Sequence, residues 1–201
     1  MTKMEWLFII TQLPANPSSL RVNVWRRLKN VGAASLQNGA WILPKNDEHI
    51  NFLKRLQLYI RENNATAQLF IVQNMGELSQ EDIQKRFTYD REQEYEEVLE
   101  QCIEFINEVN DEINQKIFTF IELEDNEQKF QRLEKWIAKI HKRDFLESAK
   151  YQDVLKVSQQ CRELLQKYER LEYEKEGMII DQDYENIPED GLLSDFKESN
   201  E

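Results

Sequence analysis

The chain has 201 residues, 32% of them charged and 40% hydrophobic, with a formal net charge of -12. That balance argues against a membrane-spanning protein, since no stretch nears the ~18 consecutive apolar residues a span requires, and it favours a modest core carrying long solvated helices. Two cysteines without ligand spacing, Cys102 and Cys161, argue against a disulfide framework, and with no signal peptide at the N-terminus the expected setting is the reducing cytoplasm.

Residues 1–78 read as one unit. "WLFIITQLP" is a short apolar strand stopped by Pro14, and Ser18 or Ser19 is placed to cap the helix that follows. In that helix Leu20, Val24, Leu28 and Val31 share one face, and Gly32 ends it in a left-handed conformation. Asn38-Gly39 between apolar residues is a hairpin signal. Pro44 closes the hairpin and Asp47 is the expected cap of a second helix, whose face is Ile50, Leu53, Leu56 and Ile60. "TAQLFIVQNM" is a last strand. The order strand–helix–strand–strand–helix–strand is the ferredoxin-like βαββαβ arrangement, an α+β fold with both helices on one face of an antiparallel sheet.

Charge is divided along the chain. Residues 1–78 carry nine Lys and Arg against five acids, +4, and the remainder carries seventeen against thirty-three, -16. Positive charge concentrates in "LRVNVWRRLKNVGA", where Arg21, Trp25, Arg26, Arg27 and Lys29 are the candidate DNA- or anion-binding residues. Arg21 falls at the edge of the apolar face, four residues before Trp25, so the two are spaced for a cation–π pair. Its fork suits an oxyanion or a phosphate. The alternative is structural: Arg21 satisfies a carboxylate or strand carbonyl and Trp25 covers the core. For Arg26 and Arg27 the choice lies between phosphate contact and simple solvation.

Residues 79–176 read as a helical coiled-coil or bundle extension. Ser79 with Asp82 resembles a capping box. Tyr95, Leu99, Cys102, Ile106, Val109 and Ile113 alternate at four and three, as in a coiled-coil seam. "ELEDNEQ" (122–128) is expected to break it; Phe130, Leu133, Ile137 and Ile140 resume, "KRDFLES" interrupts, and Tyr151, Val154, Cys161, Leu165 and Tyr168 continue. A helical hairpin or three-helix bundle is expected, with homodimerisation through these helices. Residues 177–201 lose periodicity, become acidic and are expected to be disordered; their apolar clusters at 178–180 and 192–196 are candidate docking motifs. His49 and His141 stand alone, without partners at metal-ligand spacing, and no metal, cofactor or nucleophile–base pair is expected.

The features Trp6, Gln12-Leu13-Pro14, Pro17, Leu20-Arg21, Trp25-Arg26-Arg27-Leu28, Gly32-Ala33 and Leu43-Pro44 together resemble the N-terminal region of the ChrB chromate-resistance regulators. Arg143-Asp144-Phe145 in "KRDFLES" is similar to an element of the helical part of that region. The resemblance implies a bacterial cytoplasmic protein tied to the chromate response, with transcriptional control and DNA as the partner, and chromate or a related oxyanion as candidate effector. Members of that family carry a further C-terminal domain. The same plan resembles the small nucleases of CRISPR adaptation, but those place an aspartate near the end of the first strand to hold a metal. Here that place holds Thr11 and Gln12, and a nuclease is not expected. The reading is therefore a non-enzymatic regulator, with a protein-interaction or scaffold module pairing through its long helices as the alternative.

Overall fold

The computed structural model describes residues 5–16, 18–73 and 77–177. Strands β1 (Glu5–Gln12), β2 (Ala34–Gln37), β3 (Ala40–Pro44) and β4 (Thr66–Gln73) form one antiparallel sheet in the order β2-β3-β1-β4. Helices α1 (Ser19–Asn30) and α2 (Asp47–Glu62) lie on one face, as the ferredoxin-like plan requires. Alternation along the strands sorts the two faces. Leu7, Ile9, Trp41 and Leu43 meet Leu20, Val24 and Leu28 of α1 and Leu53, Leu56 and Ile60 of α2. Trp6, Ala34 and Ile42 point to the opposite face. Residues 74 and 75, read as the end of the last strand, lie outside the described residues.

The hairpin forms where Asn38-Gly39 places it. Gly39 has φ +80, and a Cβ there would stand 2.5 Å from the Thr11 carbonyl oxygen, so only glycine fits. Thr11 closes the contact by donating its N–H to the Gly39 oxygen at 2.7 Å.

Two caps differ from expectation. Ser18 sits at the start of α1 in helical conformation and makes no side-chain cap bond. At α2 the cap is Asn46, one residue before Asp47: it has extended backbone, and its side chain accepts from the His49 N–H. Asp47 then lies inside the first turn, where its charge favours the helix dipole. His49 turns inward, with Nδ1 2.7 Å from the Pro44 carbonyl oxygen and its ring edge-on to Phe145. It is buried beside Ile50, which packs half-buried against the core as the helical spacing predicts.

Beyond the sheet, α3 (Glu77–Asn114), α4 (Phe120–His141) and α5 (Lys150–Lys175) make a three-helix bundle in which each helix touches the other two. Ser79 falls inside α3 and is no cap. Contacts such as Phe105 with Phe130 and Cys161 with Cys102 show α4 antiparallel to α3 and α5 parallel to it. The core residues of α3 run Tyr95, Val98, Cys102, Phe105 and Val109, while Leu99, Ile106 and Ile113 flank them half-buried. The seam is thus filled by α4 and α5 of the same chain.

The helix break falls earlier than "ELEDNEQ", which lies within α4. It occupies residues 115–119. Lys116 takes φ 56, Ile117 donates back to the Glu112 carbonyl at 2.9 Å, and Thr119 caps α4 by accepting from the Glu122 N–H. Both cysteines are free and buried, with Cys161 Sγ 3.6 Å from the Cys102 carbonyl oxygen. The facing Cys102 and burial push the Cys161 thiol far up, away from thiolate reactivity. Among the described residues no helix is long and apolar enough to cross a membrane. The tail from 178 lies outside the described residues.

Candidate anion and nucleic-acid interface

The helical pitch of α1 sorts the five candidate residues. Arg21, Trp25 and Lys29, four apart, share a side and line a groove of about 610 Å³ between α1, the end of β1 and the hairpin. Its other walls include Thr11, Gln12, Ser35, Asn38 and Trp41. Arg26 diverges into a shallower neighbouring groove with Ser18, Arg21, Val22 and Trp25. Arg27 points to α2, its guanidinium 4.0 Å from the centre of the Tyr59 ring.

Arg21 does not stack on Trp25. Its Nη2 donates to the Ala15 carbonyl oxygen at 3.2 Å, a loop carbonyl in place of the strand carbonyl weighed above, and the side chain stays exposed. Trp25 does not cover the core either: 52% of it is exposed. On α1 the guanidinium that sits over a ring is Arg27's, held at a cation–π distance. Lys29 donates to Asp90 of α3 at 3.0 Å, which offsets much of its charge. The cationic surface that neither a carboxylate nor a ring engages among the described residues is therefore the N-terminal half of α1, Arg21 and Arg26 flanking an exposed Trp25. Tyr59, which holds Arg27, was not among the residues the sequence singled out, because only the fold brings α2 beside α1.

Chemically, the groove offers a planar fork beside hydroxyl and amide groups with an indole face at its rim. That set suits an oxyanion or a phosphate with an adjoining flat group. Among the described residues no group of three His, Cys, Asp or Glu could hold a metal ion.

A second polar cluster joins the bundle to the sheet unit, at the C-terminal end of α1. Glu94 accepts from Arg91 at 2.7 Å and from Arg143 at 2.9 Å, and Arg143 also reaches the Lys29 carbonyl at 3.4 Å. Asp144 is buried and accepts from the Tyr95 hydroxyl at 3.1 Å and the Ser148 N–H at 2.9 Å. Burial, then the adjacent Asp144 carboxylate, pushes the Tyr95 hydroxyl well above the usual tyrosine range. Phe145 seats its ring on Gly32, whose absent side chain leaves the space, and edge-on to Phe87 and His49. Phe87 in turn stacks on Trp6 at 5.4 Å. Arg143 and Phe145 thus fasten the bundle to the sheet unit, while Asp144 between them bonds within the bundle.

The family model described as Protein ChrB, N-terminal, matches residues 21–178. The chain belongs to this family. The match begins at Arg21 and takes in the α1 cations, Gly32 and the Arg143-Asp144-Phe145 joint; the resemblance noted in residues 5–20 precedes it. Protein ChrB of Cupriavidus metallidurans (strain CH34) is 29% identical over 92 residues, 46% of this chain. That stretch covers 28% of the relative's own length. No solved structure matches the chain. Family membership accounts for two separated pieces of the resemblance at once, because Gly32 and Phe145 are in contact.

Proposed function

We propose that this chain is a chromate-associated transcriptional regulator that contacts DNA phosphates through the basic face of α1, without catalysis. The observation that carries the reading is the exposed pair Arg21 and Arg26, neither of them paired with a carboxylate among the described residues, beside an exposed Trp25 on a unit of net charge +4. The ChrB N-terminal family match supports the chromate association. The obstacle is the acidic remainder of the chain. Its helix α3 packs against Trp6 and Ile42, on the sheet face opposite α1, and the N-terminal half of α1 is directed away from the Lys29–Asp90 joint. Screening beyond ~8 Å at physiological salt then lets the cationic face act on its own. In this reading Arg21 and Arg26 take phosphates, Arg27 and Lys29 serve mainly to hold α1 in place, and the groove beside Arg21 receives the oxyanion effector.

The scaffold alternative needs free apolar helix surface, and the α3 seam is already filled within the chain. The test is a titration of the protein against DNA from upstream of its own gene and against random DNA, at two salt concentrations, with and without chromate. Specific, salt-sensitive binding released by chromate is expected. No binding under any of these conditions would overturn the reading.

A further inference from the structure

Both edges of a sheet expose unpaired N–H and C=O groups, and proteins guard such edges with charge, bulges, brevity or cover. The β2 edge is guarded: it has four residues, a bulge between Ser35 and Gln37, and α3 against it. The β4 edge is not. Its eight residues, TAQLFIVQ, pair with β1 in unbroken register from Glu5↔Gln73 to Gln12↔Thr66. Among the described residues no strand pairs with its other side. It carries no proline, no bulge and no charge; in a chain with 32% charged residues, none falls between residues 63 and 76. Large apolar side chains stand open on both of its faces, with Ile71 57% and Phe70 44% exposed, and Leu58 is 56% exposed on the helix packed behind it.

We propose that β4 pairs antiparallel with β4 of a second copy of this chain, joining two four-stranded sheets into one of eight strands. The occupant follows from charge and symmetry. Two copies that each carry -12 repel over most of their surface, so an uncharged strip is where they can meet. A two-fold axis through Phe70 sets Phe70 against its own copy and Leu69 against Ile71, and keeps the helix-covered faces on the same side. The helices offer no comparable seam, since α3, α4 and α5 bury theirs in one chain. The dimer would also place two α1 cationic faces on one side of a continuous sheet, though the pairing stands without the DNA reading.

Sedimentation equilibrium of the full chain into the upper micromolar range tests this. A reversible dimer is expected. Ile71→Lys, with Phe70→Lys as a second edge variant, should weaken it about tenfold or more, since a charge replaces apolar contact at the pairing strand. Ile121→Lys, an exposed position on α4, should leave it unchanged, and circular-dichroism melts confirm that each variant is folded. A chain that stays monomeric, a folded edge variant that dimerises like the parent, or a dimer lost equally in Ile121→Lys would each overturn the proposal.

Discussion

Individual side chains hold the α4–α5 connection, which carries Phe145, against α3. Asp144 is buried and satisfies the Tyr95 hydroxyl and the Ser148 N–H together. Asp144→Ala leaves both donors unpaired, and the expected loss is about 2–4 kcal/mol, read from urea unfolding. Tyr95 gives a pH signature. Its folded-state pKa is raised by burial and by Asp144, so the folded protein keeps a proton that the unfolded chain releases above about pH 10. Stability is fully present below that pH and declines as pH rises past it. Urea midpoints between pH 8 and 11 should show the decline, and Tyr95→Phe should make it shallower. The Tyr95–Asp144 partnership was not legible in the sequence, because the two lie 49 residues apart and only the bundle brings them together. Lys29 and Asp90, 61 apart, are a similar case, and their pairing changes the role of a residue that reads as a free cation.

At the scale of elements, local signals were legible wherever one residue type has one physical use. Asn38-Gly39 gave the hairpin, Gly32 gave the end of α1, and the apolar periods of α1 and α2 gave their buried faces. The misplaced break after α3 shows the limit of composition. "ELEDNEQ" is rich in acids, yet an exposed helix face tolerates them, and Asn126 is buried donating to Glu112. The true stop carried its own signal, Thr119 followed three residues later by Glu122, the capping-box spacing. Thr119→Ala should therefore cost about 1 kcal/mol of stability, measurable as a shift in the urea midpoint without change in slope. Three connections end alike: Gly32, Asn64 and Lys116 each take a positive φ after a helix. Glycine and asparagine announce this, whereas lysine does not. The candidate site was half legible. The charge cluster on α1 was plain, but which of its cations a ring or a carboxylate engages depended on Tyr59 and Asp90, supplied by elements far along the chain.

For the whole molecule, a basic ferredoxin-like unit is braced by an acidic three-helix bundle through Trp6–Phe87, Phe145–Gly32 and Lys29–Asp90. The bundle packs on the sheet face opposite the α1–α2 layer, which leaves Arg21, Trp25 and Arg26 open to solvent. If that surface meets DNA, affinity must fall with salt in proportion to the phosphates it neutralises. The most direct measurement is the slope of log affinity against log salt for the parent chain, the double variant Arg21→Ala/Arg26→Ala and the single variant Arg27→Ala. The account predicts that the double variant binds more weakly to every DNA and loses about 0.9 from the slope per phosphate contact removed, while Arg27→Ala stays near the parent. An unchanged slope in a folded double variant, or a larger loss from Arg27→Ala, would contradict it.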